Sequence, residues 1–288
     1  MPTPTSINDT AAIEAELYRL HDEYWNEKSP DEHRRHLGVS IIGEPCHRKL
    51  YNTFRWVKLS QAEPRMKQLW NVGHREEDVF ADELTWMGFF IRTIDPDTNK
   101  QYRFSKHDNH YGGSSDSLAL LPWFRGHEDP KILVEYKTHN NKSFNHLKDN
   151  KLKKSKPMHF DQMCCYGREF NAQYGLYCAR NKDNSETYYE FFKLDRNRAI
   201  ELENTARDIV YAKFPPPKIS NNPSAWDCTY CHFKGNCFNN EPVEKNCRSC
   251  KFSEPVAKSQ WKCNRWNNVI PFEFIAKGCE YHSSVLSI

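Results

Sequence analysis

Two acidic residues fall in apolar segments where a buried strand would normally carry Val or Leu. Asp116 immediately precedes Ser-Leu-Ala-Leu-Leu, and Glu135 and Lys137 close the segment Ile-Leu-Val-Glu-Tyr-Lys. Residues two apart on a strand share a face, so Glu135 and Lys137 would point at one spot. Asp116 and Glu135 could share a Mg²⁺ or Mn²⁺ ion, and Lys137 could orient or deprotonate a water or stabilise charge on a phosphate. A surface hairpin with a cross-strand ion pair is the alternative.

The chain also carries eleven cysteines, a number that favours metal binding over disulfides when no secretory signal is recognisable. The spacing C-x₂-C-x₅-C supplies Cys228, Cys231 and Cys237. A four-iron cluster or a tetrahedral zinc ion needs a fourth ligand, for which Cys46 is the candidate. Ligand chemistry alone leaves iron–sulfur and zinc open at this set.

A second cysteine set follows the first. Cys247 and Cys250 form a C-x₂-C pair, and Cys263 and Cys279 come later. Two close ligands and two distant ones are typical of a zinc ribbon, which lets a short segment fold without a large core. His282 is the alternative to Cys279 as the fourth zinc ligand. The sequence leaves open whether such a ribbon touches nucleic acid.

The elements that must position these groups alternate between helices and strands without internal repeats, which predicts an α/β core with a mixed sheet. Periodicity predicts helices within residues 11–28, 46–56, 71–90, 157–171 and 195–214, and strands within residues 89–95, 100–105, 117–121, 132–137 and a hairpin over 174–194. In the third helix Val79, Phe80, Leu84 and Met87 recur at three- and four-residue steps and predict one apolar face.

Charge and hydropathy restrict the class of protein. The net charge is +3, and no run of about 18 apolar residues is long enough to cross a membrane. With no recognisable secretory signal, we expect a cytoplasmic protein without membrane contact. Five lysines within residues 148–156 form either a solvated face or a patch that contacts phosphates.

An Asp followed on the next strand by Glu-x-Lys resembles the PD-(D/E)XK nuclease superfamily, and two further segments resemble its RecB-type branch. Glu77 lies four residues after Gly73, where this branch places a metal-directed acid or histidine. Gln162 and Tyr166 match the branch's Gln-x-x-x-Tyr motif. Much of the branch has histidine where this chain has Glu77, and His74, one turn earlier, is the other candidate.

The resemblance spans roughly residues 38–282 and includes exonuclease-like proteins of bacterial viruses. It implies a restriction-endonuclease-like core, in which a central mixed sheet is flanked by helices, and a metal-dependent DNA exonuclease acting in viral recombination or DNA processing. In the implied site Asp116 and Glu135 bind the metal with help from Glu77, and Lys137 assists the attacking water. Gln162 and Tyr166 then align the DNA strand.

The same branch contains iron–sulfur nucleases with one N-terminal and three C-terminal cysteines. The resemblance therefore implies a 4Fe-4S cluster at Cys46, Cys228, Cys231 and Cys237 that clasps the two ends of the core. The predicted regions are an N-terminal helical extension (1–37), the nuclease core (38–222), the iron–sulfur clasp (223–240) and a zinc-ribbon-like, metal-bound C-terminal region (241–288).

The expected partner is DNA, with a recombinase or a single-strand-binding protein as a second partner by resemblance. The location would be the host cytoplasm for a viral protein, and an oligomer stays open. Two alternatives to an autonomous nuclease remain. The chain could be a catalytically silent nucleic-acid-binding module, or a subunit that is active only with its partner.

Overall fold

The structure is a computed structural model that describes residues 10–30, 33–121 and 131–286. Part of the predicted N-terminal extension, residues 1–9 and 31–32, lies outside these ranges. The α-helices in the described ranges are α1 (Thr10–Lys28), α2 (His47–Phe54), α3 (Pro64–Trp86), α4 (Asn141–Ser155), α5 (Pro157–Glu169), α6 (Arg196–Val210), α7 (Trp226–Thr229), α8 (Lys234–Phe238) and α9 (Phe272–Ile275). A 3₁₀ turn covers Val39–Ile41.

The strands of the same ranges form four separate sheets. They are β1 (Leu37–Gly38), β2 (Phe90–Arg92), β3 (Ile94–Asp95), β4 (Lys100–Gln101), β5 (Arg103–Lys106), β6 (Tyr111–Ser114), β7 (Ser117–Leu120), β8 (Ile132–His139), β9 (Tyr174–Asn181), β10 (Thr187–Lys193), β11 (Ser253–Val256), β12 (Gln260–Cys263) and β13 (Asn268–Ile270).

The central sheet has the strand order β10-β9-β8-β7-β2. The β8–β9 pair is parallel and the other three pairs are antiparallel, so the predicted mixed sheet is confirmed. The parallel pair needs a crossover, which α4 and α5 supply. Residues 132–136 of β8 are all buried, which explains their nearly continuous apolar run.

Helices α5 and α6 begin at the residues that the local sequence predicts. Asp195 caps α6 by accepting a hydrogen bond from the Arg198 amide at 3.0 Å, as its type and position predict. Pro157 occupies the first turn of α5, where its missing N–H costs nothing. Helix α4 is interrupted at Lys151, whose φ of 64° is left-handed.

Helix α3 packs on the central sheet through fewer residues than its pattern predicts. Phe80 and Leu84 are buried, and the Phe80 ring stacks on Tyr136 of β8 with 5.6 Å between centroids. Val79 and Met87 are 42% and 43% exposed, so their assignment to the apolar face was wrong. Val79 lies about 100° around the helix from Phe80, and Met87 follows the last helical residue.

The C-terminal module, residues 241–286, is joined to the core by two buried arginines that reach in opposite directions. Arg55, which follows α2, donates to the carbonyl oxygens of Cys250 and Ser253 at 2.6 and 3.1 Å. Arg248 of the module donates to the Phe54 carbonyl of the core. The three-stranded sheet of β11, β12 and β13 belongs to this module and buries Trp261 against Phe54.

No helix in the described ranges combines the length and the hydropathy needed to cross a lipid bilayer.

Candidate active site

The two acid-bearing segments of the sequence meet on the neighbouring strands β7 and β8. Asp116, just before β7, accepts a hydrogen bond from the Tyr136 amide of β8 at 3.0 Å. Lys137 Nζ lies 3.6 Å from Asp116 Oδ2 and forms an ion pair with Glu135. The structure therefore brings Asp116, Glu135 and Lys137 together, with Glu135 and Lys137 on one face of the strand.

Glu135 is fully buried, and its two oxygens differ in their surroundings. Oε1 accepts a hydrogen bond from Gln162 Nε2 at 2.8 Å. Oε2 has no hydrogen-bond partner among the described residues. Burial, followed by repulsion from the Asp116 carboxylate, raises the pKa of Glu135 to about 7. A buried carboxylate with one unpartnered oxygen is costly in an apolar setting and is a recurrent feature of functional sites.

The electrostatics of Lys137 favour one of its predicted roles over the other. Burial opposes the charged form, but the carboxylates of Glu135 and Asp116 outweigh it and raise the pKa of Lys137. The ammonium also donates to the Tyr136 carbonyl at 3.0 Å. A lysine that holds its proton this firmly can stabilise negative charge or orient a water, whereas deprotonating a water would require it to be neutral first.

Glu77 faces the same cluster from helix α3. Burial and the Asp116 carboxylate raise the pKa of Glu77 to about 7, against an opposing effect of Lys137. Phe80 lies one turn after Glu77, and its ring stacks on Tyr136 of β8. This contact places the Glu77 side of the helix above β8. His74, the other candidate on this helix, is exposed and lines the adjoining groove.

Helix α5 carries the remaining two predicted site residues. Gln162 bonds Glu135, and Tyr166, four residues on, lies on the same helical side. The tyrosine hydroxyl packs so closely on the backbone of Gly113 that a Cβ there would collide with it. Burial, then Glu135 and Asp116, raise the pKa of Tyr166, so its hydroxyl stays neutral.

A groove of 660 Å³ opens beside Gln162 and Tyr166, and basic side chains surround it. The basic residues in its wall are Arg34, Arg35, His36, His74 and Arg103. Burial and the charges of Arg34 and Arg103 lower the pKa of His36 to about 4, which reflects the positive charge gathered there. This groove has the size and the charge to take up a phosphate-bearing strand.

Sequence reasoning misses these arginines and draws attention to the lysines at 148–156 instead. Lys148 pairs with Glu186, and Lys153 lies 4.0 Å from Asp195, so two members of that patch face carboxylates. The run Arg34-Arg35-His36 is the available signal for the groove. It is short and falls within the predicted helical extension.

The four cysteines assigned to the first set lie around one small pocket. Cys46, Cys228, Cys231 and Cys237 line a cavity of about 20 Å³ together with basic residues, which suit a negatively charged thiolate cluster. Among the described residues, however, no group of three or more His, Cys, Asp or Glu side chains is arranged to hold a metal ion directly. The pocket thus gathers the right donors without showing a coordination geometry.

The second cysteine set gathers in the C-terminal module. Burial, then the nearby thiols of Cys279, Cys250 and Cys263, raise the pKa of Cys247 to about 11. His282 is engaged elsewhere, since its Nε2 lies 2.9 Å from the Ser249 hydroxyl. This interaction favours Cys279 over His282 as the fourth member of the set.

Comparison with known proteins gives low-identity structural similarities. No family model matches the chain, and no curated protein matches it. The chain is similar to the solved structure of SSO0001, with 16% identity, a TM-score of 0.42 and coverage of 78% of this chain and 97% of that one. It is also similar to the alkaline exonuclease LHK-Exo from Laribacter hongkongensis, with 14% identity, a TM-score of 0.39 and coverage of 65% and 90%. The complex of LHK-Exo with dAMP gives 14% identity, a TM-score of 0.41 and coverage of 61% and 86%.

Proposed function

We propose that this protein is a Mg²⁺- or Mn²⁺-dependent nuclease that hydrolyses phosphodiester bonds of DNA. The observation that carries the proposal is the convergence of Asp116, Glu135 and Lys137 beside an arginine-lined groove. An ordinary surface ion pair would not bury Glu135 completely or leave one of its oxygens without a hydrogen-bond partner in the described part of the chain. The charges of the groove wall are opposite to those of a phosphodiester backbone.

The chemistry of these donors fits a hard divalent cation, although the described carboxylates are not arranged to hold an ion directly. Asp116, Glu135 and Glu77 bring three carboxylates to one ammonium. Burial, followed by repulsion from the Asp116 carboxylate, raises the pKa of both glutamates to about 7. Oxygen ligands of this kind are what Mg²⁺ and Mn²⁺ prefer. Asp116 and Glu135 would hold the ion, with Glu77 acting directly or through water. When bound, such an ion polarises the phosphate and lowers the pKa of a water.

The surrounding side chains would position the DNA strand and stabilise the negative charge of its phosphates. The Lys137 ammonium stabilises negative charge that develops on the phosphate during in-line attack. Gln162 fixes one oxygen of Glu135 and leaves the other free to act. Tyr166 places a neutral hydroxyl at the edge of the groove, where it is suited to aligning the DNA strand. Arg34 and Arg103 are suited to binding the phosphates of that strand.

An exonuclease acting in viral recombination or DNA processing, with a recombinase or single-strand-binding protein as partner, is the finer form of this proposal. Its support is the resemblance of the motifs around Glu77, Gln162 and Tyr166. We further propose a 4Fe-4S cluster at the first cysteine set and zinc at the second. The grouping of each set of thiols supports this, as does the engagement of His282 with Ser249.

The test is cleavage of end-labelled linear and closed circular DNA with Mn²⁺ by the unmodified chain and by Glu135→Gln. Loss of linear DNA alone, abolished by the substitution, supports an end-dependent nuclease. Cleavage of both substrates supports an endonuclease. Equal cleavage by the two proteins overturns the catalytic assignment. No cleavage by either, followed by activity on adding a partner protein, supports the partner-dependent alternative.

A further inference from the structure

Arg248 of the C-terminal module is buried at 1% exposure and lies over three aromatic rings of its surroundings. Its guanidinium carbon is 4.7 Å from the ring centroid of Phe54, 4.4 Å from that of Trp56 and 4.9 Å from that of Trp261. Such ring faces stabilise a desolvated cation. The side chain is therefore fixed in position, and its remaining N–H groups have a defined direction.

Those N–H groups point at the segment that carries the groove arginines. Arg248 Nη1 donates to the carbonyl oxygens of Arg34 and Arg35 at 3.3 and 3.1 Å. The indole of Trp56 donates to the same Arg34 carbonyl at 3.1 Å. The main chain of Arg34 and Arg35 is thus held from one side, and both side chains are left to line the groove.

The module also holds a groove side chain directly. The guanidinium carbon of Arg35 lies 3.4 Å from the ring centroid of Phe272, in the short helix α9 of the module. Ser259, which precedes β12, lines the groove as well and donates through its hydroxyl to the Asn109 carbonyl at 2.9 Å. A module whose only task was to brace the core would not need to reach this wall, since Arg55 already joins it to the core.

We propose that the C-terminal module is one wall of the DNA-binding groove, where Arg248 positions the Arg34–Arg35 segment and Phe272 holds the Arg35 guanidinium against the phosphates of a DNA strand. This inference rests on the proposed function and specifies which parts of the chain recognise the substrate. Arg248 is a positioning residue, because it acts through the main chain of its neighbours. Zinc at the second cysteine set would support this wall without contacting the substrate.

The test uses two exposed phenylalanines of the same helix. Phe272 and Phe274 are 49% and 50% exposed, so replacing either with Ala leaves the core intact. Phe272 lies under Arg35, whereas the ring of Phe274 lies 5.4 Å from the ammonium of Lys277. Phe274→Ala is therefore a matched control for Phe272→Ala.

Binding is measured by fluorescence anisotropy of a short labelled DNA single strand at several salt concentrations, with Glu135→Gln in every protein so that no cleavage interferes. Phe272→Ala is expected to weaken binding by about two- to fivefold, the effect of one exposed cation–π interaction. The slope of log affinity against log salt should become shallower by about 0.7 for each phosphate that the variant no longer neutralises. Phe274→Ala should change neither quantity, and equal behaviour of the two variants overturns the proposal.

A double-mutant cycle separates positioning from general weakening. Arg35→Ala should lose more affinity than Phe272→Ala, and adding Phe272→Ala to Arg35→Ala should change affinity no further. Full additivity overturns the role of Phe272. In proteins with intact Glu135, Phe272→Ala and Arg248→Lys should raise KM and leave kcat unchanged. If Arg248→Lys does not fold, the cycle decides alone.

The two proposals fail in distinguishable ways. Cleavage that survives Glu135→Gln removes the proposed catalytic site, and the binding cycle is then measured in EDTA, where metal-dependent cleavage stops. Normal loss of cleavage in Glu135→Gln, together with unchanged binding by Phe272→Ala and Arg35→Ala, removes only the role of the module. Absence of DNA binding by the chain overturns both.

Discussion

Lys137 Nζ lies 3.6 Å from Asp116 Oδ2 and pairs with Glu135, so a single ammonium bridges two carboxylates that come from adjacent strands. Glu77 adds a third carboxylate within electrostatic reach. The carboxylates outnumber the ammonium, so the site attracts a divalent cation. The bound cation and the positively charged groove beside it would then attract a phosphodiester. The response of the site to substitution and to pH follows from this balance.

Replacing Glu135 with Gln should abolish metal-dependent cleavage. The substitution keeps the shape of the side chain but removes the charge and offers an amide where the unpartnered Oε2 now lies. We expect kcat to fall by at least about 10²-fold, the scale of a single electrostatic contribution at a reacting centre. Calorimetry should show weaker Mn²⁺ binding. Glu186→Gln, which removes an exposed partner of Lys148, is the control and should keep both properties.

Replacing Lys137 with Met should lower kcat by roughly 10²- to 10³-fold with little change in KM, because the ammonium acts on charge that develops during the reaction. The carboxylates raise the pKa of Lys137, so its charge persists through the working range. The pH–rate profile of the unmodified protein should therefore show no decline between about pH 8 and 10. A rise in kcat over this range that disappears in Lys137→Met would identify the neutral amine as a base and contradict this assignment.

Without metal, the same carboxylates should make stability depend on pH in an unusual direction. The pKa of Glu77 and of Glu135 rises to about 7 in the folded chain, above the ordinary value near 4.3. The folded state then binds more protons, so this contribution to stability is complete below about pH 4 and is lost as pH rises through about 7. In EDTA, the Tm of the unmodified chain should fall more across this range than that of Glu77→Gln/Glu135→Gln.

Buried histidines change the pH dependence of stability in the opposite direction. The test therefore uses the difference in Tm between the unmodified chain and the double variant. The pKa of His36 falls to about 4, so its contribution to stability grows as pH rises from 4 to 7. It is present in both proteins and cancels in their difference. Tm curves of the two proteins that run parallel in EDTA would show that the glutamates titrate normally.

The central sheet and the acid–lysine cluster were predictable because they depend on short-range patterns. The Glu135–Lys137 spacing equals the repeat of a strand, and the Asp195 cap and Pro157 are local signals. The mixed sheet followed from alternating strands and helices. The Phe80 and Leu84 spacing was also enough to predict a helix face, but adding Val79 and Met87 made that face too broad.

The groove was not predictable, because its wall is assembled from distant parts of the chain. The hydrogen bond from Arg248 to the Arg34 carbonyl joins residues 214 positions apart. Nothing in the local sequence of Arg34 indicates that it is fixed at a wall, and nothing near Arg248 indicates burial of a cation. Lysines 148–156 were more conspicuous in sequence, yet Lys148 and Lys153 lie near carboxylates.

The first cysteine set should bind iron. Protein purified without oxygen should contain about four iron atoms per chain and absorb visible light, as expected for a cysteine-ligated four-iron cluster. Cys46→Ser removes one lining thiol of the pocket and should lower the iron content while zinc stays at about one per chain. Cys164→Ala, which alters a buried core cysteine outside both sets, is the control. A colourless protein that contains zinc alone would remove the cluster from the proposal.

Phe80 links the stability of the fold to the site, because it belongs to the helix that carries Glu77 and its ring packs on the strand that carries Glu135. Its ring stacks on Tyr136, and the guanidinium carbon of Arg180 lies 4.6 Å from the centroid of the same ring. Phe80→Ala should lower the free energy of unfolding by about 3–5 kcal/mol, because apolar burial is removed and a cavity is left behind.

The adjacent Val79 provides the matched comparison. It is 42% exposed, so Val79→Ala should change the free energy of unfolding by less than about 0.5 kcal/mol. Both variants are compared by urea denaturation, and Mn²⁺-dependent cleavage is then measured at a temperature where both stay folded. Reduced cleavage by folded Phe80→Ala alone would show that the packing of α3 on β8 sets the position of Glu77. Unchanged cleavage in both variants would mean that Glu77 does not need this packing to reach the cluster.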